Sequence, residues 1–324
     1  MKPIYSGMCF DNFACSKIIV EHYDAEIKHL GYSEDSYVYY IPSKSIVVKC
    51  IESLEGSCET EVNKKLFNLN DQPIGLIKPL NIHTFKYVSI YLTRCGFVRE
   101  TTEYYLFEYD YYKYNLESFF KESLVLSEAT KLDIMDQIKQ GINTLHSLGY
   151  YHGDLKPKNI CISDDGKIIK IIDYGLCDSV ENKEAELYWK NTLYSASPLQ
   201  LATHVQSYHD YKKYFDTIKT QVKLLYNKDP IIYKNKQVFK ESCITNDWFG
   251  VGLLIYYILT NGTYFFSGLS VNVNASDKVI IKQTFSNVLL FLEDPIQYCK
   301  NKNNKHSDLY EPYILKDIIF DSNL

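Results

Sequence analysis

Residues 152–159 read HGDLKPKN, and residues 173–176 read DYGL. Two aspartates, a lysine and an asparagine at these offsets constrain the chain more than any other stretch. Between them, NICI and KIIKIID flank SDDG, which predicts a β-hairpin closed by an Asp-Gly turn. Asp173 then ends the second hairpin strand, and Gly175 allows the chain a sharp departure after it.

These residue types fit phosphoryl transfer, which asks a protein mainly for positioning and charge neutralisation. Asp154 is placed to accept a hydrogen bond from an attacking hydroxyl. Lys156, two residues on, can reach a transferring phosphate. Asn159 offers a side-chain oxygen, a hard ligand suited to Mg²⁺, and Asp173 brings a carboxylate to the same ion.

The sequence around this site changes character once. SYVYY (36–40), SIVVKC (45–50), TFKYVSIYL (84–92) and YYLFEY (104–109) are β-branched and aromatic runs, so residues 31–109 read as strand-rich. CETEVNKKLFNL (58–69) interrupts them with a helical pattern that sets Val62, Leu66 and Leu69 on one side. After residue 115 helices dominate. Residues 127–149 open on Ser127 as N-cap, carry Leu132, Met135, Ile138, Ile142 and Leu145 at helical spacing, and stop at Gly149. DWFGVGLLIYYILTNG predicts another helix that ends at Gly262.

Composition excludes several classes. The net charge of −5 argues against a nucleic-acid binder. Nine dispersed cysteines without a CxxC pair fit reduced thiols, and with no apolar leader-like run the expectation is an intracellular, cytoplasmic protein. The longest apolar run, GVGLLIYYIL at 250–259, is too short to span a bilayer, so no membrane partner is expected.

The ordered series across residues 31–266 resembles the eukaryotic-type Ser/Thr protein kinase superfamily. The resemblance implies an α+β, bilobal protein-kinase-like fold, with a β-rich N-lobe (about 25–109) and a mainly helical C-lobe (about 110–324). It makes 1–324 a single kinase domain, with an insertion (about 200–242) before the family's helix αF. GYSEDSYV aligns with the glycine-rich loop, so Gly31, Ser33, Ser36 and Val38 would lie over ATP. Lys49 is similar to the family's third-strand lysine, which orients the α- and β-phosphates. Its glutamate partner is assigned to Glu61, with Glu59 as second choice. Phe107 would be the gatekeeper, and Glu108 to Asp110 the hinge that binds the nucleotide. Asp154 and Lys156 would be catalytic, with Asn159 and Asp173 holding Mg²⁺. His152 would pack beneath Tyr174, and Asp247 of NDWFGVG would hold the backbone of the loop around Asp154. HGD with DYG is also the combination of the vaccinia-related/casein kinase branch, whereas DWFGVG looks like other branches.

The departures carry expectations of their own. Gly153 stands where the family has the arginine that receives an activation-loop phosphate, so activity should not depend on that modification. Ser197, Pro198 and Leu199 replace Ala-Pro-Glu, and no arginine follows Arg99, so the glutamate and its arginine partner are missing together. Residues 201–240 hold eight lysines and three aspartates, either a solvated helical face or a docking surface for an acidic partner. The expected function is transfer of the ATP γ-phosphate to protein Ser/Thr hydroxyls, Lys156 and Thr192 favouring Ser/Thr over Tyr by resemblance. Two rivals stand beside it: a pseudokinase scaffold that binds a protein partner, and an aminoglycoside- or choline-kinase-like small-molecule phosphotransferase.

Overall fold

In the computed structural model, the residues described are 8–33, 36–53, 57–93, 96–181, 196–198, 201, 212–226, 236–272, 276–302 and 305–315. The chain divides into two compact units, one formed by Met1–Pro73 with Ile77–Tyr111, the other by Ile74–Leu76 with Tyr112–Leu324. Thr192 and Leu199, and most of the basic stretch 201–240, lie outside the described residues.

The first unit is built on an antiparallel five-stranded sheet of order β1-β2-β3-β6-β5. Its strands are β1 (Lys28–Tyr32), β2 (Ser36–Ile41), β3 (Ile46–Glu52), β5 (Asn81–Thr93) and β6 (Gly96–Asp110). Side chains alternate across a strand, and directly paired residues share a face. Val38 pairs with Lys49, and Lys49 with Phe107, so these three lie in one row on one face. Tyr39, Val48, Glu108 and Asn81 form the next row, on the opposite face.

That opposite face is covered by helix α1 (Met8–Tyr23). Ala14, Cys15, Ile18 and Ile19 fall at i, i+1, i+4 and i+5, which makes one stripe. They pack on Tyr37, Tyr39, Ile41, Val48, Cys50, Tyr104 and Leu106. The packed body of this unit therefore begins well before residue 25, where the sequence reading starts its N-lobe. Helix α2 (Cys58–Phe67) is capped by Ser57, whose hydroxyl accepts from Thr60 N–H.

The second unit is mainly helical. Helix α4 (Glu128–Ser147) follows the short α3 (Leu116–Lys121). Ser127 caps α4 by accepting from Thr130 N–H at 3.2 Å, and α4 buries Ile134, Met135, Ile138, Ile142 and Leu145. Leu132, expected on that stripe, is exposed. It sits only two residues from Ile134, about 200° around the helix axis, and so faces away. A small sheet of order β4-β10-β9-β7 holds β4 (Gly75–Leu76), β7 (Tyr114–Asn115), β9 (Ile160–Ile162) and β10 (Ile169–Ile171). The two-residue strand β8 (Tyr150–Tyr151) pairs with β11 (Asp178–Ser179). Helices α5 (Lys212–Tyr226), α6 (Lys236–Leu259), α7 (Asp277–Glu293), α8 (Pro295–Asn301) and α9 (Glu311–Ile314) complete the unit. Among the described residues, no helix is long and apolar enough to cross a membrane.

Candidate active site

The second unit carries Asp154, Lys156, Asn159 and Asp173. The loop that bears the first three leaves β8 and closes in a 3₁₀ turn at Pro157–Asn159. Helix α6 anchors that loop. The buried carboxylate of Asp247 accepts from His152 N–H at 2.7 Å and from Gly153 N–H at 2.9 Å, and pairs with His146 Nε2 at 2.8 Å. Hydrogen bonds to an ionised acceptor are about twice as strong as neutral ones, so α6 fixes the loop where Asp154 begins.

His152 joins the loop to the Asp173 segment. Its Nδ1 accepts from Asp154 N–H at 3.2 Å, and its Nε2 donates to the Ile172 carbonyl at 3.1 Å. These partners require the Nε2-protonated tautomer. Its ring also meets the buried Tyr174 ring edge-on, 6.0 Å between centroids. A second tie runs from Ile172 N–H to the Asn159 carbonyl at 2.9 Å. The hairpin β9–β10 thus sets Asp173 one residue beyond a backbone bond to Asn159.

Asp154 is only 7% exposed, and its two carboxylate oxygens differ. Oδ2 accepts from Lys156 Nζ at 2.5 Å and from Asn159 Nδ2 at 3.0 Å. Oδ1 is buried and has no hydrogen-bond partner among the described residues. A buried acceptor left alone is costly, and one at a loop of this chemistry points to a donor brought by a ligand. Asn159 Nδ2 donates as well to the Asp154 carbonyl at 2.9 Å. Both bonds use the amide nitrogen, so they orient the amide and leave Oδ1 as its oxygen donor.

Asp173 holds φ +67°, ψ +80°, a left-handed backbone that non-glycine residues adopt at a cost and that clusters at functional sites. Its exposed carboxylate and the Asn159 amide oxygen are hard donors, which fits a magnesium ion.

The first unit carries the other predicted residues. Lys49 Nζ donates to Glu59 Oε1, and both side chains are 11% exposed. This corrects the assignment of Glu61. Glu59 falls on the helical stripe with the buried Val62, Asn63 and Leu66, whereas Glu61 shares the exposed side with Lys65. Two residues apart on a helix means roughly 200° of rotation, so only one of the two glutamates can face β3. Phe107 is fully buried next to Lys49 in the sheet.

Gly31 lies on β1, and a Cβ there would meet nothing within 4 Å. Ser33 N–H donates to the Ser36 carbonyl at 2.8 Å, and the two hydroxyls lie 2.7 Å apart. The hydroxyl contact is one that glycines at these two positions would lack.

Glu108 does not behave as a nucleotide-facing side chain. Its carboxylate lies on the α1 face and accepts from Tyr23 OH at 2.5 Å, Asn81 Nδ2 at 2.6 Å and His83 Nε2 at 2.8 Å. Burial pushes its carboxyl up, but these hydrogen bonds outweigh burial and hold it below the ordinary carboxylate value. Its carbonyl already accepts from Leu80 N–H at 2.7 Å. Asp110 ends β6 and is exposed.

Sequence reasoning named Ser197 in the closing motif but gave it no partner. Its buried hydroxyl donates to Asn246 Oδ1 at 2.5 Å, one residue before Asp247. This neutral bond fastens Ser197 to α6.

Comparison with known proteins finds similarity to protein kinases. Residues 77–218 match the family model described as protein kinase domain. A probable serine/threonine-protein kinase of Dictyostelium discoideum is 38% identical over 78 residues, 24% of this chain and 15% of its own length. The mouse interferon-induced, double-stranded RNA-activated protein kinase is 34% identical over 123 residues, 37% of this chain and 22% of its own. The chain spans less than a quarter of the length of these curated relatives. Among solved structures, the yeast RNA Pol II CTD kinase CTDK-1 complex aligns with 79% of this chain and 67% of its own at a TM-score of 0.44 and 17% identity. The matched residues include the loop that carries Asp154, and Asp173, so this part of the chain is similar to the protein kinase domain family.

Proposed function

We propose that the chain transfers the γ-phosphate of ATP to Ser/Thr hydroxyls of protein substrates. The observation that carries this reading is the buried, unpartnered Oδ1 of Asp154 beside an Oδ2 already held by Lys156 and Asn159. An acceptor hydroxyl donating to Oδ1 would be oriented for attack, and its proton has a place to go.

Asn159 and Asp173 would hold Mg²⁺, which when bound neutralises charge on the transferring phosphates. Lys156 would move from Asp154 toward the γ-phosphate oxygens as these gain charge. Lys49, steadied by Glu59, would orient the α- and β-phosphates. Val38, in one row with Lys49, would supply apolar surface to the nucleotide, with the buried Phe107 backing Lys49 in the same row. The basic stretch 201–240 would dock an acidic segment of a protein partner.

The test is phosphorylation with Mg²⁺ and labelled ATP, comparing wild type with Asp154→Asn and Asp173→Ala. Label should enter protein serines and threonines, and each variant should lose about 10²-fold or more. Wild-type activity in Asp173→Ala, or label going only to small acceptors, would overturn the reading.

A further inference from the structure

Outside the phosphate-transfer residues, the first unit brings two histidines and a glutamate together. His22 lies in the last turn of α1, His83 on β5 and Glu108 on β6. Asn81 pairs with Glu108, so His83, two residues along β5, stands diagonally from Glu108 on the α1 face. One nitrogen of each histidine and one oxygen of Glu108 all lie within 4.8 Å of one another.

We propose that His22, His83 and Glu108 form a binding site for a divalent transition metal of the zinc type, which would clamp the end of α1 to the sheet.

Four observations carry the assignment. The donor set, two imidazoles and one carboxylate, is a common one for zinc with an open fourth position for solvent. His22 is exposed, which gives an ion an entry path. Glu108 is oriented by two neutral donors, Tyr23 OH and Asn81 Nδ2, which can stay in place as outer supports when the carboxylate binds a metal. His83 Nε2 is already 2.8 Å from Glu108 Oε1, inside the spacing of about 3.4 Å that tetrahedral zinc sets between ligand atoms. The remaining closure falls to His22, whose exposed ring can turn toward the pair.

The exchange balances simply. The neutral His83 ring passes its single proton from Nε2 to Nδ1 through solvent, so that Nε2 can take the cation and no proton is lost overall. Lys44 lies close enough to His22 to act on it electrostatically. Lys44 is also the nearby cation that opposes metal entry.

The test is titration of the full chain, stripped of metal by a chelator, with Zn²⁺ and with Co²⁺ as a visible probe. One ion should bind per chain and raise Tm. The cobalt complex should show d–d bands without a sulfur-to-metal charge-transfer band, which separates this site from any cysteine site. His22→Ala, at an exposed position that need not disturb folding, and His83→Gln should each weaken binding at least tenfold and abolish the Tm rise. No stoichiometric binding to the wild type, a sulfur charge-transfer band, or unchanged affinity in both variants would overturn the proposal. None of these readouts depends on kinase activity.

Discussion

Gly153 N–H donates to Asp247 Oδ1 at 2.9 Å while Gly153 itself holds φ +77°. The bond from helix α6 and the left-handed backbone act together, because turning the N–H to Asp247 sets the φ. A Cβ on Gly153 would lie 2.8 Å from the Leu176 carbonyl oxygen, a backbone atom that cannot step aside. This position therefore cannot take an arginine without rebuilding the loop. Gly153→Arg should lower stability by more than the roughly 1–2 kcal/mol of a left-handed non-glycine residue, read from urea unfolding, and should reduce phosphorylation. Gly153→Ala should show the smaller part of the same loss. A stable, fully active Gly153→Arg protein would contradict the argument.

The same glycine bears on regulation. With no arginine at 153 and only Arg94 and Arg99 in the chain, no guanidinium from this loop can receive an activation-loop phosphate. Phosphatase treatment of active protein should change its rate by less than tenfold. A larger loss would show that lysines do this work instead.

Glu59 and Glu61 give a paired test. Glu59→Gln removes the charge opposite Lys49 and should raise the KM for ATP and lower kcat together, by about tenfold or more in kcat/KM. Glu61→Gln, on the exposed side of α2, should change kcat/KM by less than threefold. If Glu61→Gln proved the more damaging variant, the helix would have to turn by about half a revolution on nucleotide binding.

The site residues were legible because they are close in sequence and sit at offsets that chemistry requires. HGDLKPKN and the hairpin after it place Asp154, Asn159 and Asp173 with little help from distant contacts. Glu59 was misassigned although a signal existed: Lys65 follows Glu61 by one turn, while Val62, Asn63 and Leu66 follow Glu59 on one stripe. Periodicity on this ten-residue helix decides between the two glutamates. Helix α1 escaped because its stripe of Ala14, Cys15, Ile18 and Ile19 is short and mixed with polar residues. The Glu108 network could not be read at all. Tyr23 is 85 residues from Glu108, and no local pattern announces that pair.

Helix α1 also makes a stability prediction. Ile19 is fully buried against the sheet of the first unit, so Ile19→Ala should cost about 2–5 kcal/mol in urea unfolding. A chain started at residue 25 would uncover Tyr37, Tyr39, Val48, Cys50 and Leu106 and should expose enough apolar surface to aggregate. Folding of such a chain with unchanged stability would show that α1 is a dispensable appendage.

Lys302 offers a pH test in the second unit. It follows α8, and its Nζ donates to the Phe265 carbonyl at 2.6 Å while lying 4.7 Å from the Tyr298 ring centre and 5.0 Å from that of Phe265. Burial pushes its ammonium down from the ordinary 10.5 to about 8, with Cys299 opposing weakly. The folded state therefore gives up this proton before the unfolded state does. Below pH 8 both states are charged, and the folded state bears the whole cost of burying the charge. Between about pH 8 and 10.5 the unfolded chain binds more protons, so this residue's contribution to stability rises with pH. Lys302→Met removes the titration and keeps most of the apolar stem. The nearby Tyr256, Tyr298, Tyr310 and Cys299 are present in both proteins, and their contributions largely cancel in the difference. Stability of the methionine variant relative to wild type should thus be highest at neutral pH and fall steadily from pH 8 to 10.5, followed by urea midpoints. A difference that stays flat over that range would mean that the aromatic rings around Lys302 and the Phe265 carbonyl stabilise the ammonium as well as water does.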